Sequence, residues 1–406
     1  MSREDDHRMR KSLIRRSEIV LLFATSLVLG CGADPQPTGM MPPGAAGALV
    51  SGGGTSAGSG AIAGTSSTAG ASAGGIGGSG GIGGLTNGAT IIQECRITTP
   101  THWDAGVYVA NCKIEVTSAL TIDPGATVKF GAGFYLDVLP GGTLTAVGNE
   151  SLPIVFTSIK DDAHGGDTNG DGASVAAPND WGCQGSCGDL NLQGNGCTLE
   201  RVQALYGSNG VYIQSESTRI QKSSFAHHDT YGLVVDGRFS VANTQLTENA
   251  FFDNHGYPLR LGKPVFLDAS NVFHDPAKPE QKNGKQCIEV DTDLNELVVL
   301  GVTEVGFLFS GRRISAEVLT PPGVIFKAKD TAIYLDAGGS LYNGPNAIFT
   351  SYKDDELGGD CLGDGPSAPA AGDWEGLLID DGTKADYSAP VDYVRYASKS
   401  GAGVLH

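Results

Sequence analysis

The chain has 406 residues, and its 45 Asp and Glu against 27 Lys and Arg give a formal net charge of −18. This balance argues against nucleic acid as a partner, because affinity for phosphates rests mainly on Lys and Arg. The length suffices for one large core, and the acidic, Gly-rich composition suits a protein with a solvated exterior.

The first 30 residues have the pattern of an export signal. Basic side chains, including Arg8 and Arg16, precede an apolar run at residues 19–29. That run is shorter than the roughly 20 helical residues needed to cross a bilayer. Residues 1–30 are therefore predicted to be a signal peptide.

Residues 27–31 resemble a lipobox, the site of lipoprotein signal peptidase, in which small residues precede a cysteine. Cleavage there would leave Cys31 as a lipidated N-terminus that anchors the protein in a membrane. Leu29 is bulkier than usual at its position, so an ordinary secretory signal with a coincidental cysteine is the alternative. Gly32 stands where an aspartate is linked with inner-membrane retention in some bacteria, so we expect an outer-membrane protein that faces the periplasm or the outside.

Residues 31–90 are predicted to form a disordered linker behind the lipid anchor. Residues 35–93 contain no charged side chain and consist mainly of Gly, Ala, Ser and Thr. Such a segment cannot bury enough apolar area to offset the entropy cost of ordering it.

Seven of the eight cysteines follow Cys31, in a region predicted to be exported, where disulfides persist. Cys95 and Cys112 flank a short segment of 16 residues and are predicted to form a disulfide. An odd count leaves at least one thiol unpaired within the chain. Pairing stays open for Cys183, Cys187, Cys197, Cys287 and Cys361. The first three of these are not favoured as metal ligands, because no fourth nearby Cys or His completes a tetrahedral site.

The region after the linker contains a tandem duplication. Five clusters between residues 154 and 181 recur at a constant offset of 193 residues, including Asp180-Trp181 as Asp373-Trp374. We therefore divide the region into a first copy at residues 91–300 and a second, incomplete copy at residues 301–406. The second copy stops where further turns follow in the first, so we expect a missing continuation or a covering partner chain.

Within each copy, brief β-prone runs return every 20–26 residues between Gly, Asn and Asp. Val211 is followed 22 residues later by Leu233, and Phe225, Phe251 and Phe273 mark a neighbouring strand in successive turns. No run has the helical period of 3.6 with caps. Short strands on a fixed turn, each unable to bury its inner face alone, predict an all-β solenoid.

The sequence resembles the right-handed parallel β-helix family, the pectate-lyase-like architecture, over nearly all of residues 95–406. The likeness lies in residues 124–130, the Gly-Gly turn at residues 141–144, and the strand at residues 153–158 with its following Asp-Asp and Asp-Trp-Gly motifs. Such repeats are common in surface lipoproteins of Gram-negative bacteria. The resemblance implies the fold, and it implies activity much less, because function resides in sites added to a fold.

Two acidic loops are candidate calcium sites, since alternating carboxylate and amide oxygens suit a hard cation. The stronger candidate consists of Asp161, Asp162, Asp167, Asn169 and Asp171. The weaker one consists of Asp354, Asp355, Asp360 and Asp364. The bidentate glutamate that completes an EF-hand is absent. A polar insertion whose Asp and Asn side chains cap its own turns is the favoured alternative.

Two tryptophans and one histidine motif could bind or react with a ligand, but the sequence favours a structural role for each. Trp181 and Trp374 are expected to fold back against the barrel, with sugar stacking as the alternative. The motif His227-His228-Asp229 lies at a turn and is expected to be a surface feature.

Catalysis in β-helix enzymes takes two main forms. For a calcium-dependent lyase, the candidate bases Arg219, Lys222 and Arg260 lie on different turns, and the sequence suggests no acidic cluster in matching register. The Asn-Thr-Asp and Arg-Ile-Lys motifs of polygalacturonase-like hydrolases are absent from the central turns.

The sequence thus favours a non-catalytic, lipid-anchored surface protein with a structural, adhesive or glycan-binding role, whose partner is a cell-surface glycan or protein. The alternative is a polysaccharide lyase or hydrolase acting on acidic glycans. Calcium is the one cofactor that the sequence suggests.

Overall fold

The computed structural model describes residues 88–238, 240–336, 339–343, 347–380, 386–387, 395, 397 and 403–405. All of them belong to one unit of the chain, Gly78–His406. The predicted signal peptide, Cys31 and nearly all of the predicted linker lie outside the described residues. In the described part the regular elements are strands, and none of it is a helix suited to crossing a membrane.

Parallel strands stack turn upon turn into a β-solenoid, as predicted. Sheet I contains eleven strands: β2 (Arg96–Ile97), β5 (Ile114–Val116), β8 (Leu136–Val138), β11 (Leu190–Leu192), β14 (Val211–Ile213), β17 (Tyr231–Val235), β20 (Tyr257–Leu261), β23 (Cys287–Val290), β25 (Gly306–Phe309), β28 (Ile325–Ala328) and β31 (Ile348–Ser351).

Two further sheets complete the turns of the first part. Sheet II contains β1 (Thr90–Ile91), β4 (Val107–Ala110), β7 (Thr127–Phe130), β10 (Ile154–Ser158), β13 (Val202–Leu205), β16 (Ser224–Ala226) and β19 (Ala250–Phe252). Sheet III contains β3 (Thr101–Trp103), β6 (Ala119–Ile122), β9 (Thr143–Val147), β12 (Cys197–Glu200), β15 (Thr218–Gln221) and β18 (Gln245–Thr247).

The later turns add two four-stranded sheets and one hairpin. Sheet IV contains β24 (Val298–Val299), β27 (Glu317–Thr320), β30 (Ser340–Asn343) and β33 (Asp386–Tyr387). Sheet V contains β26 (Arg313–Ile314), β29 (Ala332–Leu335), β32 (Gly376–Asp380) and β34 (Gly403–Leu405). The antiparallel hairpin is β21 (His274–Asp275) with β22 (Lys278–Lys282).

The register agrees with the repeat period read from the sequence. Val211 pairs with Leu233, and Leu233 pairs with Leu259, in successive turns of sheet I. The predicted phenylalanine column also forms: the rings of Phe225 and Phe251 lie 5.2 Å apart, and those of Phe251 and Phe273 lie 5.6 Å apart. The core is therefore a continuous column of buried apolar side chains, to which each turn adds a layer.

Sharp corners between sheets are made by single residues in the left-handed region. Tyr206, His227 and Asp253 have φ of 63°, 61° and 52°, and each directly follows a strand of sheet II. Such a residue bends the chain abruptly and sends the next side chain inward. Asn254, the residue after Asp253, is buried and donates its amide to Phe225 O at 3.1 Å.

Three disulfides join described residues. Cys95 and Cys112 are bonded, as predicted, and Cys183–Cys187 and Cys287–Cys361 are the other two. Cys197 is the free, buried thiol that the odd count required, and burial raises its pKa to about 11. The structure therefore uses Cys183 and Cys187 covalently, and not as ligands of a metal.

Candidate functional site

Loop A, residues 161–172, is the stronger of the two predicted calcium loops, and its aspartates hold its own backbone. Asp167 accepts N–H bonds from Gly170 at 2.7 Å and from Gly172 at 3.1 Å. Asp162 accepts from Ser174 N at 2.6 Å, which closes the base of the loop. These contacts are those of turn-capping carboxylates.

The remaining predicted ligands of loop A are also engaged within the protein. Asn169 donates its side-chain amide to Asp171 Oδ2 at 2.8 Å. Buried Asp161 accepts from the Thr157 hydroxyl at 2.6 Å and contacts His164 Nδ1 at 2.7 Å. Burial opposes ionisation of the Asp161 carboxyl, but the hydrogen bonds from His164 and Thr157 outweigh it, so the pKa of Asp161 is lowered.

A buried lysine lies beneath loop A. Strand alternation in β7 places Lys129 opposite the core residues Val128 and Phe130, yet its side chain is fully buried because the loop covers it. Its Nζ donates to Gly166 O at 2.6 Å. Burial lowers the pKa of Lys129, and the nearby carboxylates of loop A, including Asp162 and Asp167, oppose that shift.

Loop B, residues 354–365, repeats the backbone-capping contacts and the buried lysine of loop A. Asp360 accepts from Gly363 N at 2.7 Å and from Gly365 N at 3.0 Å. Asp355 accepts from Ser367 N at 2.7 Å, and Lys327 donates to Gly359 O. Burial lowers the pKa of Lys327 to about 8, against the opposing effect of the loop carboxylates.

Asp354, buried as Asp161 is, accepts from the Thr350 hydroxyl at 2.5 Å, while Asp364 carries the last predicted carboxylate of loop B. One oxygen in each loop, Oδ1 of Asp162 and of Asp355, is buried without a hydrogen-bond partner in the described structure. Calcium binding by either loop stays a prediction. The contacts themselves are those expected of the alternative, in which the side chains cap the turns.

The two tryptophans are buried, as expected. Trp181 donates its indole N–H to Leu205 O at 2.7 Å, and its ring stacks on Phe130 with centroids 4.5 Å apart. Trp374 donates to Arg395 O at 2.7 Å. Neither ring is available to stack on a sugar.

The expectation that the histidine turn is a surface feature is wrong for His228, whose side chain is 0% exposed. The left-handed conformation of His227 turns the chain so that His228 points inward. His228 Nε2 lies 3.0 Å from Ala204 O and Nδ1 lies 3.2 Å from Asp189 Oδ2. Both ring nitrogens of His228 thus lie within hydrogen-bond distance of a buried oxygen.

Asp189 is the centre of this buried polar cluster. Its carboxylate accepts backbone N–H bonds from Ser208, Asn209 and Gly210, the shortest being 2.6 Å. Hydrogen bonds to a charged acceptor are strong, so the three successive N–H groups hold the backbone of residues 208–210 firmly against the buried Asp189 carboxylate. The cluster fixes the corner after Tyr206, and it lies behind the wall of the groove described next.

A groove of about 480 Å³ crosses four successive strands on the outer face of sheet I. Strands in a sheet are about 4.8 Å apart, so the four strands span about 14 Å. Its lining comprises Gly185, Ser186, Asn209, Tyr212, Tyr231, Val234, Val235, Asp236, Gly237, Arg238, Arg260, Gly262 and Asp291. Most of these residues lie on or just after β14, β17, β20 and β23, whose backbone pairing holds the lining in place.

The prediction that Arg260 has no acidic cluster in matching register is wrong. Arg260 pairs in register with Glu289 of the next turn, and its guanidinium bonds Asp291. Arg312 from a following turn bonds the other oxygen of Asp291. On the preceding turn, Arg238 makes three side-chain bonds to Asp236, between 2.5 and 3.1 Å.

These pairings leave the groove nearly neutral in an acidic protein. Burial opposes ionisation of Asp236, but the contacts from Arg238 outweigh it and set the pKa of that carboxyl at about 2. Burial likewise opposes the charge on Arg260, and the bond to Asp291 outweighs it, so the pKa of Arg260 is raised. The groove therefore presents fixed guanidinium donors beside fixed carboxylate acceptors.

Tyr212 and Tyr231 line the groove between the charged pairs. Tyr231 and Tyr257 are register partners whose ring centroids lie 6.3 Å apart, and Arg260 lies 5.7 Å from the Tyr231 ring centroid. The Tyr231 hydroxyl donates to Glu289 Oε2 at 3.1 Å. Burial and the Glu289 charge raise the pKa of Tyr231, and burial raises that of Tyr257 to about 12, so both are neutral donors.

One wall of the groove is the small loop closed by the Cys183–Cys187 disulfide. The Asn209 side-chain amide donates to three carbonyls of this loop, those of Cys183, Gly185 and Cys187, at 2.9 to 3.2 Å. Asn209 also lines the groove. A covalent bond and one buried amide thus fix the position of the wall.

No protein-family model, no curated protein and no solved structure matches this chain.

Proposed function

We propose that this protein is a non-catalytic, lipid-anchored β-solenoid of the cell envelope that binds a glycan strand in the groove on sheet I. The observation that carries the proposal is the row of Arg–carboxylate pairs beside tyrosine rings across four turns. The predicted lipid on Cys31 supplies the attachment, and the predicted linker supplies the distance from the membrane.

The chemistry of the groove suits a hydroxyl-rich ligand. A sugar hydroxyl donates one hydrogen bond and accepts others, as a Ser or Thr hydroxyl does. Arg238 next to Asp236, and Arg260 next to Asp291, offer a donor and an acceptor side by side at fixed positions. Tyrosine rings offer apolar faces together with a polar tip.

The same pairing disfavours a strongly anionic ligand. Each guanidinium in the groove already faces a carboxylate, and the whole chain carries a net charge of −18. A polyanion would lie against Asp236, Glu289 and Asp291 and gain little from the arginines. We therefore favour a neutral or weakly charged glycan.

The test is binding of the whole protein to a panel of neutral and acidic oligosaccharides, measured by isothermal titration calorimetry. Arg238→Ala removes a guanidinium whose side chain is 70% exposed, so the fold is spared. We expect it to weaken binding about tenfold, which corresponds to one charged hydrogen bond of roughly 1.4 kcal/mol. Arg219→Ala, on the face of sheet III, is the matched control and should leave affinity unchanged.

Equal affinity in the Arg238 variant and the parent would contradict the groove as the binding site. The reaction mixtures are also assayed for new reducing ends and unsaturated uronates. Their appearance with an acidic glycan would replace the proposal with the lyase or hydrolase alternative.

A further inference from the structure

A second cluster of ligand-type side chains lies far along the chain from the groove, on the outer face of sheet III. His102 belongs to β3 and pairs with Thr121 of β6. Trp103, between His102 and Asp104, is buried, so His102 and Asp104 point outward. Asp123, just after β6, stands beside Asp104 in the same parallel register.

The three side chains converge on one point. His102 Nε2 lies 3.0 Å from Asp123 Oδ2 and 3.4 Å from Asp104 Oδ1. The three ligand atoms all lie within 4.8 Å of one another. Around one metal ion with bonds of about 2.1 Å, ligand atoms are about 3.0 to 3.4 Å apart, so the imidazole and both carboxylates fit one coordination sphere after a small rotation of exposed Asp104.

Charge and donor type indicate which cation fits. Two carboxylates placed side by side on adjacent strands repel each other unless a cation lies between them. A divalent ion bound by Asp104, Asp123 and a neutral His102 gives a site without net charge. Because one ligand is an imidazole nitrogen, an ion of the zinc class suits the set better than calcium or magnesium, which prefer oxygen alone.

The surroundings leave room for further ligands. A recess of about 250 Å³ borders the cluster and is lined in part by His102, Trp103 and Tyr108. The Trp103 and Tyr108 rings stack at 5.2 Å and form one wall. His102 is the ligand that lines this recess, so a metal ion bound by His102, Asp104 and Asp123 would have open space beside it for water or a small ligand, as zinc sites with an open position do.

We propose that His102, Asp104 and Asp123 form a solvent-accessible site for a zinc-class divalent ion. This site is independent of glycan binding in the groove. It lies outside both acidic loops, so it is also distinct from the predicted calcium sites.

The probe is Co²⁺, added to the whole protein purified without a histidine tag, with binding followed by visible absorption and Zn²⁺ added as competitor. We expect one equivalent to bind through this site and to be displaced by Zn²⁺. His102→Ala and Asp123→Asn should each weaken binding at least tenfold. His274→Ala is the matched control, since His274 faces the single carboxylate of Glu304 at 2.9 Å, and it should bind as the parent does.

Absence of binding at millimolar Co²⁺ would overturn the proposal. So would a bound equivalent that survives both His102→Ala and Asp123→Asn. Unchanged near-ultraviolet circular dichroism in the variants shows that loss of binding is not loss of fold.

Discussion

Lys327 offers a direct test of how loop B is held together. Its side chain is completely buried, its Nζ donates to Gly359 O, and its pKa in the folded protein is about 8. In the unfolded chain the same group has the ordinary value of 10.5. Lys327→Met removes the titration while keeping a side chain of similar length.

The sign of the effect follows from which state holds the proton. Below pH 8 both states bind it, and this group contributes no pH dependence. Between pH 8 and 10.5 the folded protein has released the proton of Lys327 while the unfolded chain still binds it, so stability rises with pH. The difference in pKa corresponds to about 3 kcal/mol when the whole window is crossed, at about 1.4 kcal/mol for each tenfold change in proton affinity.

The assay is urea unfolding followed by circular dichroism at a series of pH values from 7 to 9.8. The range stops there because tyrosines with raised pKa, such as Tyr257, lower the stability at higher pH. We expect the free energy of unfolding of the parent to rise by about 2 kcal/mol relative to Lys327→Met over this range. Lys278→Met, at an exposed position, is the control and should follow the parent. Parallel curves for the parent and Lys327→Met would refute the buried-ammonium description of loop B.

Three further predictions concern other parts of the chain. Gly207→Ala would place a Cβ 1.9 Å from Asp189 Oδ2, so we expect a loss of about 3 kcal/mol in urea unfolding, and a loss below 1 kcal/mol would contradict the packing at that corner. Labelled palmitate should enter the parent and be absent from Cys31→Ser, and label in the mutant would exclude the lipoprotein hypothesis. Calcium binding by loop A predicts that millimolar calcium raises the melting temperature and that Asp167→Ala with Asp171→Ala abolishes the rise, whereas an unchanged melting temperature would leave turn capping as the role of these aspartates.

The fold was predictable because its signal is periodic. Each turn must place an apolar side chain over the previous one, so offsets such as Val211 to Leu233 appear directly in the sequence. The pairing of Cys95 with Cys112 followed from the short segment between them, and the burial of Trp181 and Trp374 from the tendency of a loop tryptophan to pack against the barrel. The inward turn of His228 was not predicted, because residues as different as Tyr206, His227 and Asp253 adopt the left-handed corner, so no single residue type marks it in the sequence.

The groove was missed because its residues come from separate turns. Asp236 and Asp291 each follow the last residue of a sheet I strand, and they share a face only once the register is known. A usable signal was present: aligning the strand ends at Val235, Leu261 and Val290 places both aspartates beside the turn of Arg260.

The aspartates of the two acidic loops mainly contact the protein's own backbone. The residues shared by both loops are those that hold the backbone, such as Asp167 and Asp360, which accept equivalent amide bonds. Four of the five predicted ligands of loop A have an aspartate at the equivalent position of loop B, and the fifth, Asn169, corresponds to Leu362. In each loop a buried lysine ammonium already lies near the carboxylates, so the positive charge is supplied by the chain itself. The loops thus have the features of repeated elements that brace the solenoid, whereas the groove, with its Arg–carboxylate pairs beside tyrosine rings, has the features of a recognition surface.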